Sequence, residues 1–96
     1  MSALLRVVIV DDEAPARQLL REYLAEEAGV EIVAECANGF DAVKVVTETR
    51  PSLLLLDVQM PKLNGFEVLE LVGGGVHVIF TTAYDQFALQ AFAVHA

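Results

Sequence analysis

Tryptophan is absent, cysteine occurs once, and the 6 Lys and Arg are outnumbered by 14 Asp and Glu among 96 residues. Each shortage excludes something. A single thiol, Cys36, rules out an internal disulfide and a thiolate metal site, and within an alternating segment it reads as a small buried hydrophobe. A formal net charge of −8 leaves no cluster of cations for nucleic-acid phosphates and favours a cation or a basic partner surface instead. No apolar run approaches the ~20 residues of a membrane span. The start, Met1-Ser2-Ala3-Leu4-Leu5-Arg6, has no signal-peptide pattern, so a cytoplasmic location without membrane contact is expected. His77 and His95 are far apart with no third ligand, and they read as surface or core residues. Gly73-Gly74-Gly75 follows a helical stretch and precedes a strand, the reverse of a phosphate-cradling loop. No repeat, linker or low-complexity segment divides the chain, and residues 1–96 read as one domain.

What is present is a β-α series. Leu5-Arg6-Val7-Val8-Ile9-Val10 is a β-branched run that ends in Asp11-Asp12-Glu13. Pro15 suits the first turn of a helix. The stripe Ala16, Leu19, Leu20, Tyr23, Leu24, Ala28 then extends that helix to Gly29, with Arg17, Arg21, Glu22 and Glu26 mostly off the stripe. Val30, Ile32, Ala34 and Cys36 alternate with Glu31, Val33 and Glu35, which predicts an edge strand with one wetter face. Asn38-Gly39 turns the chain into a short helix carrying Ala42, Val43, Val46 and Phe40, closed by Pro51. Leu53-Leu54-Leu55-Leu56 is too short for a typical helix and suits a strand buried on both faces; Asp57 ends it. Asn64-Gly65 leads into a third helix from Phe66 to about Val72. Val76 to Phe80 is a fourth strand ending in Thr81 and Thr82, and Asp85 is placed to cap a last helix bearing Phe87, Ala88, Ala91, Phe92 and Val94. Phe66, Phe80, Phe87 and Phe92 read as core aromatics. Such alternation predicts an α/β fold with a parallel sheet and right-handed crossovers.

Ligands of open α/β sheets sit beyond the carboxyl ends of the strands. With the first and third strands adjacent, Asp11, Asp12 and Asp57 converge there. Two carboxylates ~4 Å apart repel by about 4 kcal/mol at an effective dielectric of 20, and a hard divalent cation offsets that repulsion. The plainer alternative is that these acids cap helices and stay solvated. One acid after a strand fits that alternative well, but an acid pair after one strand and an acid after another fit it less well.

Four motifs in order then carry a resemblance: Val-Asp-Asp-Glu at 10–13, Leu-Asp-Val-Gln-Met-Pro at 56–61, Asn-Gly-Phe at 64–66 and Thr-Thr-Ala at 81–83. The chain resembles the receiver domain of two-component response regulators. Tyr84-Asp85-Gln86-Phe87-Ala88-Leu89-Gln90-Ala91-Phe92 is similar to receivers joined to LytTR-type DNA-binding domains. The resemblance implies a flavodoxin-like, doubly wound parallel sheet with strand order 2-1-3-4, the fifth strand and helix of the family being absent. It implies that Asp57 accepts a phosphoryl group from a sensor histidine kinase, that Asp12 binds Mg²⁺ directly and Asp11 through water, and that Asp57 and the backbone carbonyl of Gln59 complete the metal shell. It also implies that Thr82 is the switch hydroxyl that contacts the phosphoryl group and that Thr81 is structural.

The family supplies a lysine from its fifth strand. Lys44 and Lys62 lie elsewhere in this sequence, which predicts impaired phosphorylation. No enzymatic activity is implied beyond self-catalysed transfer to Asp57 and its hydrolysis. An aspartate-nucleophile hydrolase needs a second acid two residues after the first, where this chain has Gln59. The alternative function is a truncated, phosphorylation-independent module that dimerises through strand 76–80 or through the uncovered first helix. Direct nucleic-acid binding by this chain is not expected.

Overall fold

The computed structural model describes residues 4–81. The helix expected after Asp85 and the hydroxyl of Thr82 lie outside the described residues. The elements are β1 (Leu5–Val10), α1 (Ala14–Ala25), β2 (Val30–Cys36), α2 (Gly39–Thr49), β3 (Leu53–Asp57), α3 (Gly65–Val72) and β4 (His77–Thr81). The strands form one sheet in the order β2-β1-β3-β4, every pairing parallel. β2 lies at an edge, as its alternation predicts.

The two faces of the sheet are packed unequally. Val8, Val10, Leu54, Leu56, Val78 and Phe80 point to the larger core, where they meet Ala42 and Val46 of α2 and Val68 of α3. Within it the Phe66 and Phe80 rings lie 5.0 Å apart between centroids, tilted by 47°, within the separation at which aromatic pairs attract. Val7, Ile9 and Leu55 point the other way, toward Leu20 and Leu24 of α1. Leu54, Leu55 and Leu56 are all buried, as expected of a strand covered on both sides.

Both asparagine-glycine pairs work as helix starts. Asn38 accepts a hydrogen bond from the Asp41 N–H, and Asn64 and Glu67 exchange side chain-to-backbone hydrogen bonds in a capping box. At the far end of α2, Arg6 donates to the carbonyls of Thr49 and Arg50 at 2.7 and 3.2 Å, satisfying acceptors that the helix leaves open.

Four details depart from the sequence reading. First, α1 ends at Ala25 and Ala28 is not helical. The N–H groups of Glu26 and Glu27 bond back three residues, to Tyr23 and Leu24, which tightens the last turn. That releases Gly29, whose carbonyl accepts from Leu5 N–H as β2 begins. Second, α1 buries no residue fully: Leu19 and Tyr23 stand in solvent, because the sheet beneath takes up only Leu20 and Leu24. Phe40 of α2 is likewise exposed.

Third, the alternation of β2 is interrupted. Val7 pairs with Ile32 but Val8 pairs with Ala34, so Val33 is the extra residue of a β-bulge. Val30 and Ile32 face α1, Ala34 and Cys36 face the opposite core, and Glu35 is turned to the α1 side. Fourth, β4 runs from His77 to Thr81 rather than from Val76 to Phe80. Its register sets Thr81 opposite Asp57. His77 is exposed and Cys36 is buried, as expected. Among the described residues, no helix is long and apolar enough to cross a membrane.

Candidate functional site

Two strand ends build the site. β1 runs into Asp11 and Asp12, and β3 into Asp57; because β1 and β3 are neighbours, the three carboxylates meet at one edge of the sheet. One oxygen from each lies within 4.8 Å of the others. Asp11 and Asp57 are only 7% and 9% exposed, whereas Asp12 opens to solvent. The expected convergence of Asp11, Asp12 and Asp57 is therefore present. Gln59 sits two residues beyond Asp57 with its side chain exposed.

Backbone N–H groups orient the two buried acids. Glu13 N–H donates to Asp11 Oδ1 at 2.9 Å, and Gln59 N–H donates to Asp57 Oδ1 at 3.3 Å. In both places a chain leaving a strand folds back on the carboxylate that ended it, as Asp side chains favour in turns. These donors only partly offset the loss of water. Burial, reinforced by the charge of Asp11, pushes the Asp57 carboxyl up to about 6 against the Gln59 N–H. Burial also raises Asp11, against the hydrogen bond from Glu13. A pocket with two acids held apart from water, a third open to it and all three close together fits a divalent cation with oxygen ligands.

Gly65 allows the loop after β3 to close. Its N–H donates to the Val58 carbonyl at 3.0 Å, and a Cβ there would collide with the Asp57 carbonyl oxygen. Val58 N–H donates to the Thr81 carbonyl at 3.2 Å, tying the end of β3 to β4. The Thr81 hydroxyl is buried and has no hydrogen-bond partner among the described residues.

Neither Lys44 nor Lys62 forms an ion pair among the described residues; both are exposed, and Lys62 has φ 71°. Among the described residues a cation does reach the site: Arg17, which the sequence pattern sets off the apolar stripe of α1. Arg17 donates from Nη1 to the Asp11 carbonyl at 2.7 Å, and its Nε lies 3.7 Å from Glu35. Spacing alone could not find it, because Glu35 reaches α1 only through the bulge at Val33.

Residues 7–96 match the family model of the response regulator receiver domain. The chain is 48% identical over 95 residues to an uncharacterized response regulatory protein of Yersinia pestis, covering 97% of this chain and 40% of that protein. It is 40% identical over 95 residues to the transcriptional regulatory protein BtsR of Escherichia coli K12, with the same coverage of 97% and 40%. The chain thus spans about 40% of the length of these curated relatives. Among solved structures, it is similar to the response regulator domain of Thermotoga maritima CheB, with a TM-score of 0.84 and 27% identity over 97% of this chain and 74% of that one. A parallel sheet in the order 2-1-3-4, an acid pocket at its carboxyl edge and these matches lead to one assignment: the chain belongs to the response regulator receiver domain family of two-component signalling.

Proposed function

We propose that this chain is a Mg²⁺-dependent phosphoacceptor, with Asp57 taking a phosphoryl group from the phospho-histidine of a sensor histidine kinase. The observation that carries the reading is the meeting of Asp11, Asp12 and Asp57 at the end of two buried parallel strands. Asp12 would bind Mg²⁺ directly, Asp11 through water, and Asp57 and the Gln59 carbonyl would complete the shell. Bound there, Mg²⁺ supplies positive charge to the oxygens of the transferring group.

The remaining steps belong to the chain. The Asp57 carboxylate attacks phosphorus, a P–O bond forms as the donor's P–N bond breaks, and the imidazole leaves with a proton from solvent. Burial and Asp11 raise the Asp57 carboxyl in the metal-free pocket, and the charge of a bound divalent cation would favour its ionised form, so no base is required. The Gln59 N–H holds the oxygen it binds and leaves the other for attack. Thr82 would contact the phosphoryl group as the switch hydroxyl. Among the described residues, neither Lys44 nor Lys62 forms an ion pair with the cluster. No catalysis beyond transfer to Asp57 and hydrolysis of the acyl phosphate is proposed.

Output would rest with other parts of a longer regulator. Relatives named as transcriptional regulators, of which the chain spans 40%, support a DNA-binding partner domain, and the 84–92 segment supports one of LytTR type. A second reading, a module that associates with another copy of itself, is favoured by one observation. Leu5, Leu19, Tyr23 and Ile79 are all exposed on the α1 side of the sheet.

Phosphotransfer tests the first reading. Radiolabelled phosphate from an autophosphorylated histidine kinase should move to this chain when Mg²⁺ is present, and EDTA or Asp57→Asn should stop it. Labelling that survives Asp57→Asn would overturn the assignment of the acceptor.

A further inference from the structure

The backbone of Asp11 is held from two directions that converge on β2. Its N–H donates to the Cys36 carbonyl at 3.0 Å, while its carbonyl accepts from Arg17 Nη1 at 2.7 Å. Arg17 is tied in turn to Glu35, the residue adjoining Cys36, and Glu35 also takes a 2.9 Å hydrogen bond from Arg21. A closed ring results, running Asp11, Arg17, Glu35, Cys36 and back to Asp11. The bulge at Val33 makes it possible by turning Glu35 toward α1, a use of bulges beside functional sites that re-aims one side chain. Arg17 is otherwise spare: it lies off the apolar stripe of α1, and only 21% of its side chain is exposed.

We propose that Arg17, held by Glu35, is a positioning residue for the acid pocket: by bracing the Asp11 carbonyl it fixes the turn that presents Asp11 and Asp12 to the cation. This rests on the Mg²⁺ reading of the pocket given above. Two effects of Arg17 on cation binding oppose each other. As a charge, it repels a cation, so its removal would tighten binding. As a brace, it keeps two ligands in place, and removal of such outer partners weakens metal affinity by about ten-fold or more. A charge-assisted hydrogen bond from a largely buried fork to a backbone carbonyl favours the second effect. The sign of the change therefore separates positioning from electrostatics.

The test is calorimetric titration of the whole chain with MgCl₂. Arg17→Met should weaken Mg²⁺ binding about ten-fold, and Arg17→Lys, which keeps a donor, should recover part of the loss. Arg21→Met removes a charge from the same Glu35 but no bond to Asp11, and should leave affinity unchanged or slightly tighter. Glu35→Gln should weaken binding in the same direction as Arg17→Met, and the double variant should be no worse than Arg17→Met alone, since both act through one contact. Binding by Arg17→Met as tight as wild type, or tighter, would overturn the proposal. If that variant does not fold, unchanged affinity in Glu35→Gln would do the same. A wild-type chain that binds no Mg²⁺ would instead sink the reading of the pocket, and this inference with it.

Discussion

Asp57 is the one acid on a strand of leucines, and its environment makes its proton a stability variable. Its carboxyl is raised from 3.8 to about 6 by burial and by Asp11. A folded-state pKa above the unfolded one means that the stabilisation is fully present below about 4 and is lost as pH rises through about 6. A two-unit shift corresponds to about 3 kcal/mol. In metal-free buffer, Asp57→Asn should therefore be more stable than wild type by about 2–3 kcal/mol at pH 7 and equal to it near pH 4. Urea melts at the two pH values would show this, and a gap of the same size at both would contradict it. These acids were legible in the sequence because each ended a hydrophobic run, a pattern that needs no knowledge of distant contacts. Arg17 and Glu35 were not, since their pairing depends on which face of β2 each residue occupies.

At the scale of elements, the parallel strands were legible from runs of β-branched residues and leucines, and the helices α2 and α3 from their asparagine-glycine starts. What period-2 reading of β2 could not show was the bulge, because Val30, Ile32, Val33 and Ala34 are all apolar and suit either face. The end of α1 at Ala25 is hidden for a similar reason. Ala28 continued the helical stripe, but the need to start β2 at the Gly29 carbonyl stopped the helix earlier. The loop from β3 to α3 depends on a close approach rather than on a pattern. Gly65 lies against the Asp57 carbonyl, and Gly65→Ala should destabilise the chain by about 1–3 kcal/mol through overpacking. The same variant should disturb the pocket, because it pushes on the residue that carries the acceptor. Thermal melts with and without Mg²⁺ would register both effects. An unchanged melting temperature would show that the loop yields at no cost.

Among the described residues, one face of the sheet is covered by two helices and the other by one helix that buries none of its residues fully. Tyr23 and Ile79 remain 65% and 53% exposed on the thinner side. Exposed apolar side chains on that side suit the second reading, for which light scattering at micromolar concentration should find dimers, and Ile79→Lys should shift the population to monomer. A stable wild-type monomer would remove the second functional reading without touching the first. The first reading is the central one, and intact-mass spectrometry after incubation with acetyl phosphate and Mg²⁺ tests it most directly. The account predicts one added phosphoryl mass on the wild-type chain, absent from Asp57→Asn and absent when EDTA replaces Mg²⁺. No added mass on the wild type, or the same addition on Asp57→Asn, would contradict it.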